Sequence, residues 1–332
     1  MTATSTPPDV TMIICTRNRA VQLSNVLDSV VQMRIPADLR WEFLVIDNGS
    51  TDATGDVVKS YQDRLPLRLV REERAGLSNA RNKGVAEAAG RYICWTDDDV
   101  LLDPEWLAAY WAAFQRHPEA AIFGGRIMPV LEKPTPDWFA KLSREWPIMI
   151  LLAERDFGAD PCRLDFPRGV IPFGANFAIR TREQREVLYQ PGLGVSPNHR
   201  RIGEEAEVIF QLLNAGAIGW WVPAAKVSHM ITIQRQTWDY IYDFSAAYGE
   251  TLAYLEQESP GEHHLSAAGD LARIKHPLAN LEGKATTYRT LSTLARWAGA
   301  TGRSTRFLAT AGLFAGASRY KRKAADSTVS AG

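Results

Sequence analysis

The sequence predicts an α/β fold with a mostly parallel sheet flanked by helices. Two observations carry this reading. Between Val10 and Ile127, short apolar or β-branched runs alternate with segments of helical period, the pattern of successive βαβ units. The 332 residues are 45% hydrophobic and 23% charged, enough to bury one large α/β core with an appendage.

The expected strands are "VTMIIC", "EFLVID", "LRLVRE", "RYICWT" and "AAIFGG". Helices are expected to start near Ala20, Thr51, Gly76 and Pro104, the last with Asp103 as N-cap and Pro104 at the first helical position. From Met128 to Gly169 a Pro- and Trp-rich stretch lacks a clean period and reads as an irregular excursion beside the site. "GVIPFGANFAIR" then reads as a strand, "GEEAEVIFQLLNAG" as a helix stopped by Gly216, and "AIGWWVP" as a strand closed by Pro223. Beyond His229 the chain should be largely helical through Lys323.

Lys+Arg and Asp+Glu are both 38, so net charge offers no reason to expect a nucleic-acid partner. Residues 1–9 read as a disordered lead without the basic and apolar regions of a secretory signal, and a cytoplasmic location is expected. No apolar tract is long enough to span a bilayer. Cys15, Cys94 and Cys162 have no metal-ligand spacing, and the first two read as buried thiols.

The stretch "RYICWTDDDVLLDPEW" sets Asp97, Asp98 and Asp99 at the end of an apolar strand, where ligands of parallel sheets bind. In an extended segment, Asp97 and Asp99 would face one side and Asp98 the other. A hard cation, Mg²⁺ or Mn²⁺, bridging such carboxylates to a diphosphate would relieve their mutual repulsion. The alternative is a solvated acidic turn ahead of a helix.

Five segments, "MIICTRNRAVQLSNVLDSV", "FLVIDNGSTD", "GLSNARNKGVAEAAGRYICWTDDDV", "FGANFAIR" and "GEEAEVIFQLLNAGAIGWWVPAAKVSH", together resemble the family 2 glycosyltransferases of the GT-A fold, over about Thr11 to His229. The resemblance implies a nucleotide-sugar donor, a divalent metal, and inversion at the anomeric carbon. Applied to these motifs, it makes Asp99 the metal carboxylate, places Asp98 near the ribose, and puts Asp97 at the donor. Asp47 would accept the uracil N3–H, with Asn48 where the family often has Asp. Thr16, Arg17 and Asn18 would line the nucleotide, Arg81 would meet base and phosphates, and Asn176 would line the donor-sugar pocket with Gly174 and Ala175. Glu205 falls on the family's catalytic base, usually Asp, with Glu204 beside it. His229 matches a histidine near the metal or diphosphate.

Residue by residue, plainer roles compete. Asp47 could only cap its turn, the Gly174 region could be a tight strand entry, and the "GEEAE" acids could serve only the helix dipole. Arg19, Lys83 and Glu207 read as surface residues. The organisation expected is a nucleotide-sugar-binding half at 10–127, an acceptor and catalytic half at 128–234, and a helical appendage at 235–332.

The function expected is sugar transfer from a nucleotide diphosphate, UDP favoured, to a saccharide or lipid-linked acceptor in envelope or exopolysaccharide synthesis. The basic C-terminal helices suit peripheral attachment to anionic lipid at the cytoplasmic face of the membrane, or an oligomerising or capping helix pair. Two other classes compete. "ICWTDDDV" also resembles the Asp-x-Asp strand end of haloacid-dehalogenase-like phosphatases, although that motif normally opens its fold. The Glu at position 205 also leaves room for a catalytically silent nucleotide-sugar-binding protein.

Overall fold

The computed structural model describes residues 6–145, 148–264 and 278–329. Part of the expected lead, and part of the expected C-terminal helical region, lie outside these residues.

In chain order the elements are β1 Val10–Thr16, α1 Ala20–Val31, β2 Trp41–Asp47, α2 Thr54–Lys59, β3 Leu67–Arg71, α3 Leu77–Glu87, β4 Tyr92–Thr96, β5 Val100–Leu102, α4 Trp106–Arg116 and β6 Ile122–Leu131. There follow α5 Asp137–Leu142, α6 Ile148–Leu151, β7 Asn176–Arg180, α7 Thr181–Glu186, α8 Glu204–Asn214, β8 Gly219–Ile231, α9 Trp238–Glu258, α10 Leu278–Trp297 and α11 Thr301–Val329. The strands form one sheet in the order β3-β2-β1-β4-β7-β6-β8-β5. β1 to β4 pair in parallel, whereas β7 joins β4, and β5 joins β8, antiparallel.

The central strands β1 and β4 are almost wholly buried and largely apolar because both faces of the sheet are covered there. Along β1, Val10, Met12 and Ile14 enter one core, with Leu23, Val26 and Leu27 of α1 and Trp106, Tyr110 and Phe114 of α4. Ile13 enters the opposite core, with Ala80 and Val85 of α3 and Val208, Ile209 and Leu212 of α8. The alternation repeats on β4, where Tyr92 and Cys94 face one way and Ile93 and Trp95 the other. Each buried Val, Leu, Ile, Met or Phe among them contributes roughly 1.5–3 kcal/mol.

The five strands expected in the first half are present. The structure corrects five local expectations. β7 begins only at Asn176 and not at Gly169. β5 is a strand of its own. β8 does not stop at Pro223 but runs to Ile231. β5 pairs with it only from Val227 to His229, so proline falls where β5 makes no pairing demand. α2 starts at Thr54, after a turn in which Asp52 accepts the N–H groups of Ala20 (3.2 Å) and Thr54 (3.1 Å). α4 starts at Trp106, after a turn in which Asp103 accepts the Glu105 N–H at 2.9 Å.

Two compact units divide the chain. The first comprises residues 1–129, 154–197 and 204–230, and the second residues 130–153, 198–203 and 231–332. The excursion from Met128 to Gly169 is therefore shared between them, and it contains the short helices α5 and α6.

The second unit has its own core, made by Phe139, Ile148, Leu151, Leu152, Ile231, Ile241 and Ala309. Thr237 caps α9 by accepting the Tyr240 N–H at 3.1 Å. α9 and α11 approach until backbone meets backbone: a Cβ on Gly316 would collide with the Ala246 carbonyl, and one on Gly249 with that of Leu313. Among the described residues no helix is long and apolar enough to cross a membrane.

Candidate active site

The candidate residues lie in the first unit, where β1, β2 and β4 end. Asp97 to Asp99 form a turn between β4 and β5, not the extended segment expected. Asp98 and Asp99 consequently do not face opposite sides, because one guanidinium reaches both. Arg19 Nη1 lies 3.2 Å from Asp98 Oδ1 and 3.1 Å from Asp99 Oδ2. Arg19 is thus no solvated bystander, because it brings positive charge to both carboxylates. Thr16 Oγ1 donates to Asp98 Oδ2 at 2.7 Å. Burial nevertheless pushes the Asp98 carboxyl up to about 7, against the opposing pull of Arg19. Burial also raises Asp97, against Arg81.

Arg81 stands where α3 faces β4 and β7, ringed by Trp95, Phe177 and Tyr189 at 5.3–5.7 Å from its guanidinium carbon. It is 3% exposed, enclosed by side chains rather than open to solvent. Its Nη2 is 3.5 Å from both Asp97 Oδ1 and Glu204 Oε1, which ties the triple aspartate to the "GEEAE" helix. Burial works against its charge, but Glu204, Tyr189 and Asp97 hold it protonated beyond the ordinary arginine range. Arg81 Nη1 is buried without a hydrogen-bond partner.

Glu204 and Glu205 open α8 but occupy different surroundings. Glu204 is buried; that burial, helped by the Glu205 charge, pushes its carboxyl up to about 8 against Arg81. Glu205 is partly exposed, and its Oε1 accepts the Gly174 N–H at 3.2 Å. A Cβ at Gly174 would come to 3.0 Å from Arg81 Nη2 and 3.1 Å from Glu205 Oε1, so a larger residue would press on both side-chain ends. Glu207, expected at the surface, is buried and accepts from Gln211 at 2.9 Å.

β5 explains the position of His229. Its antiparallel register sets Val100 opposite His229. This brings His229 Nε2 to 3.7 Å from Asp99 Oδ1. A carboxylate and an imidazole this close suit a divalent cation that takes its other ligands from phosphate and water. Among the described residues, no group of three or more His, Cys, Asp or Glu could hold a metal by itself.

At the end of β2, Asp47 is buried and does cap its turn, accepting the Ser50 N–H at 2.8 Å, while its second oxygen meets Arg71 at 3.0 Å. Asn48 bridges to the carbonyls of Glu72 and Arg74 and the N–H of Gly76, an arrangement an aspartate could not make because it has no N–H₂. Asn18, at a φ of 52°, accepts the Thr51 N–H at 2.7 Å and so joins the loops after β1 and β2. Arg17 is exposed beside it.

Asn176 is the clearest correction. It is 0% exposed; its Oδ1 accepts from Trp106 Nε1 (2.8 Å) and Tyr110 Oη (2.7 Å), and its Nδ2 donates to the carbonyls of Arg126 and Ala225 (both 2.9 Å). Every polar position of the amide is used by protein, so it holds the fold and has nothing left for a donor sugar. Arg155 was not singled out by sequence. Its guanidinium lies 3.1 Å over the Phe173 ring, and burial pulls it down to about 10 against the Glu205 charge. The signal for it is spatial, an arginine brought beside Phe173 by the Ile127–Arg155 bridge.

Residues 11–167 match the family model for glycosyl transferase family 2. This span contains the β1 and β2 loops, Arg81 and the triple aspartate. Residues 11–167 are a glycosyl transferase family 2 domain. This family 2 segment has relatives outside the chain. A validoxylamine A glucosyltransferase from Streptomyces hygroscopicus subsp. jinggangensis is 36% identical over 113 residues, covering 33% of this chain and 26% of that protein. A glucosyl-dolichyl phosphate glucuronosyltransferase of Haloferax volcanii is 24% identical over 243 residues, covering 70% of this chain and 72% of that one. The chain thus matches only about a quarter of the first relative's length. The family 2 fold, a GT-A fold, is shared with a Pyrobaculum calidifontis mannosyltransferase solved with GDP-Man and Mn²⁺, at a TM-score of 0.59 and 18% identity over 94% of this chain and 88% of that one.

Proposed function

We propose that the chain is an inverting, metal-dependent glycosyltransferase that moves a sugar from a nucleotide-diphosphate donor to a hydroxyl of a saccharide or lipid-linked acceptor. The observation that carries this reading is the single guanidinium of Arg81, 3.5 Å from both Asp97 and Glu204, which makes one constellation of the triple aspartate and the α8 acids. The GDP-Man and Mn²⁺ of the mannosyltransferase neighbour support the donor class and the metal. Envelope or exopolysaccharide synthesis is the proposed setting.

In this reading Glu205 removes the acceptor proton as the hydroxyl attacks the anomeric carbon from the face opposite the leaving group. The Gly174 N–H fixes Oε1, so Oε2 is the atom that takes the proton. Glu204 does not compete for it, being buried against Arg81. Thr16, Asn18 and Asp47 shape the nucleotide end, with Arg17 exposed above them. Asp99 and His229 would hold Mn²⁺ or Mg²⁺, which when bound neutralises charge on the departing diphosphate. Arg19 holds Asp98 and Asp99 together meanwhile.

The test is thermal unfolding with UDP-, GDP- and dTDP-sugars, with and without Mn²⁺, because a ligand of the folded state raises the melting temperature by mass action. One donor should stabilise the protein only when metal is present, and Asp99→Asn should remove that dependence, since an amide lacks the charge a hard cation needs. Equal stabilisation with and without Mn²⁺ would refute the metal assignment.

A further inference from the structure

Helix α10 in the second unit exposes Leu291, Leu294 and Trp297, the last at 89%. Spaced three residues apart, they fall along one side of the helix. Thr286, Thr287, Thr290 and Thr293 are exposed as well. Each of these hydroxyls donates to the carbonyl four residues earlier, at 2.9–3.2 Å. A hydroxyl satisfied by its own helix leaves the threonine methyl as the group offered outward.

Arg289 and Arg296 flank this side and stay exposed, with Arg289 5.2 Å over the Tyr242 ring and Arg296 5.4 Å over that of Trp238, both on α9. The inner side of α10 is occupied too, with Ser292 bonded to Ser304 and Tyr288 packed near Phe307 and Phe314 of α11. A helix of an ordinary soluble surface puts its charges outward and its apolar groups inward. On α10 the outward side is methyl, isobutyl and indole.

Charge decides what covers it. From Gly283 to Ala325 the chain has nine lysines and arginines and no acid, and of these Arg306 is paired with Glu145 and Arg322 with Glu282. Two copies meeting through this region would set like charge against like. A bilayer carrying anionic headgroups satisfies both features, since tryptophan and leucine enter the headgroup boundary while basic side chains stay with the phosphates. We propose that the Leu291–Leu294–Trp297 side of α10 seats on an anionic lipid surface. The proposal is independent of the sugar-transfer reading, because none of its residues belongs to the candidate active site.

The experiment is co-sedimentation of the full chain with vesicles of phosphatidylcholine alone and of phosphatidylcholine mixed with phosphatidylglycerol. The parent should pellet with the mixed vesicles and stay in solution with the neutral ones. Leu294→Ser with Trp297→Ser should weaken that binding roughly tenfold or more while keeping the parental melting temperature, as both side chains are exposed. Tryptophan fluorescence of the unaltered parent should also be quenched by brominated lipid in the mixed vesicles, a readout free of any folding defect in the variant. A parent that ignores anionic vesicles, a double variant that binds as the parent does, or a lipid-free dimer that the double variant abolishes would overturn the proposal.

Discussion

Arg19 and Arg81 show how a repulsive run of three aspartates is tolerated: each guanidinium reaches two acids, and the pairs span different segments. The sequence displays the aspartates but not their partners, because Arg19 lies 79 residues from Asp98 and nothing local announces the contact. Asn176 was misassigned for the same reason. Its motif is legible, whereas the four groups that saturate it come from Trp106, Tyr110, Arg126 and Ala225. Asn176→Asp keeps the acceptor but turns two donated bonds into carboxylate facing carbonyl. It should cost about 2–4 kcal/mol in urea unfolding. A variant that loses donor affinity with unchanged stability would return Asn176 to the donor pocket.

Among the elements, strands buried on both faces were readable because their apolar runs are continuous, and β5 was not, because three residues carry no periodicity. Yet β5 is what aligns His229 with Asp99. At the β7–α7 junction, Arg180 grips Glu183 with two nitrogens, at 2.5 and 2.8 Å, and Arg182 adds a third contact at 2.8 Å. Burial opposes the charge, but these bonds draw the Glu183 carboxyl down to about 2. The folded value lies below the unfolded one, so the stabilisation is present above about pH 4.5 and is lost as pH falls toward 2. Glu183→Gln should therefore be less stable than the parent near neutrality, with the gap closing in acid. A gap that stays constant between pH 6 and 3 would contradict this assignment. At the crossing of α9 and α11, Gly316→Ala should destabilise the second unit by about 1–3 kcal/mol, because the added methyl meets backbone that cannot rotate away. Calorimetry showing no loss would mean the helices can separate without penalty.

At the scale of the whole molecule, two units each bury a core of their own. The first was legible almost throughout, since βαβ alternation and turn chemistry are local signals. The second was legible only as helix: the long C-terminal segment read as an appendage because its small residues look weakly apolar, whereas α11 buries Ala309, Leu313 and Phe314. The identity of the base likewise depended on three-dimensional surroundings. Two adjacent glutamates are equivalent in sequence, but one is buried against Arg81 and the other is partly open to solvent. That difference is the centre of the functional account, and rates of nucleoside diphosphate release during transfer, measured beside donor affinity for Glu205→Gln, test it most directly. The predicted result is donor affinity close to the parent's with a transfer rate lower by roughly 10²-fold or more. Glu205→Gln turning over at the parental rate with donor bound, or Glu204→Gln alone being inactive, would contradict it.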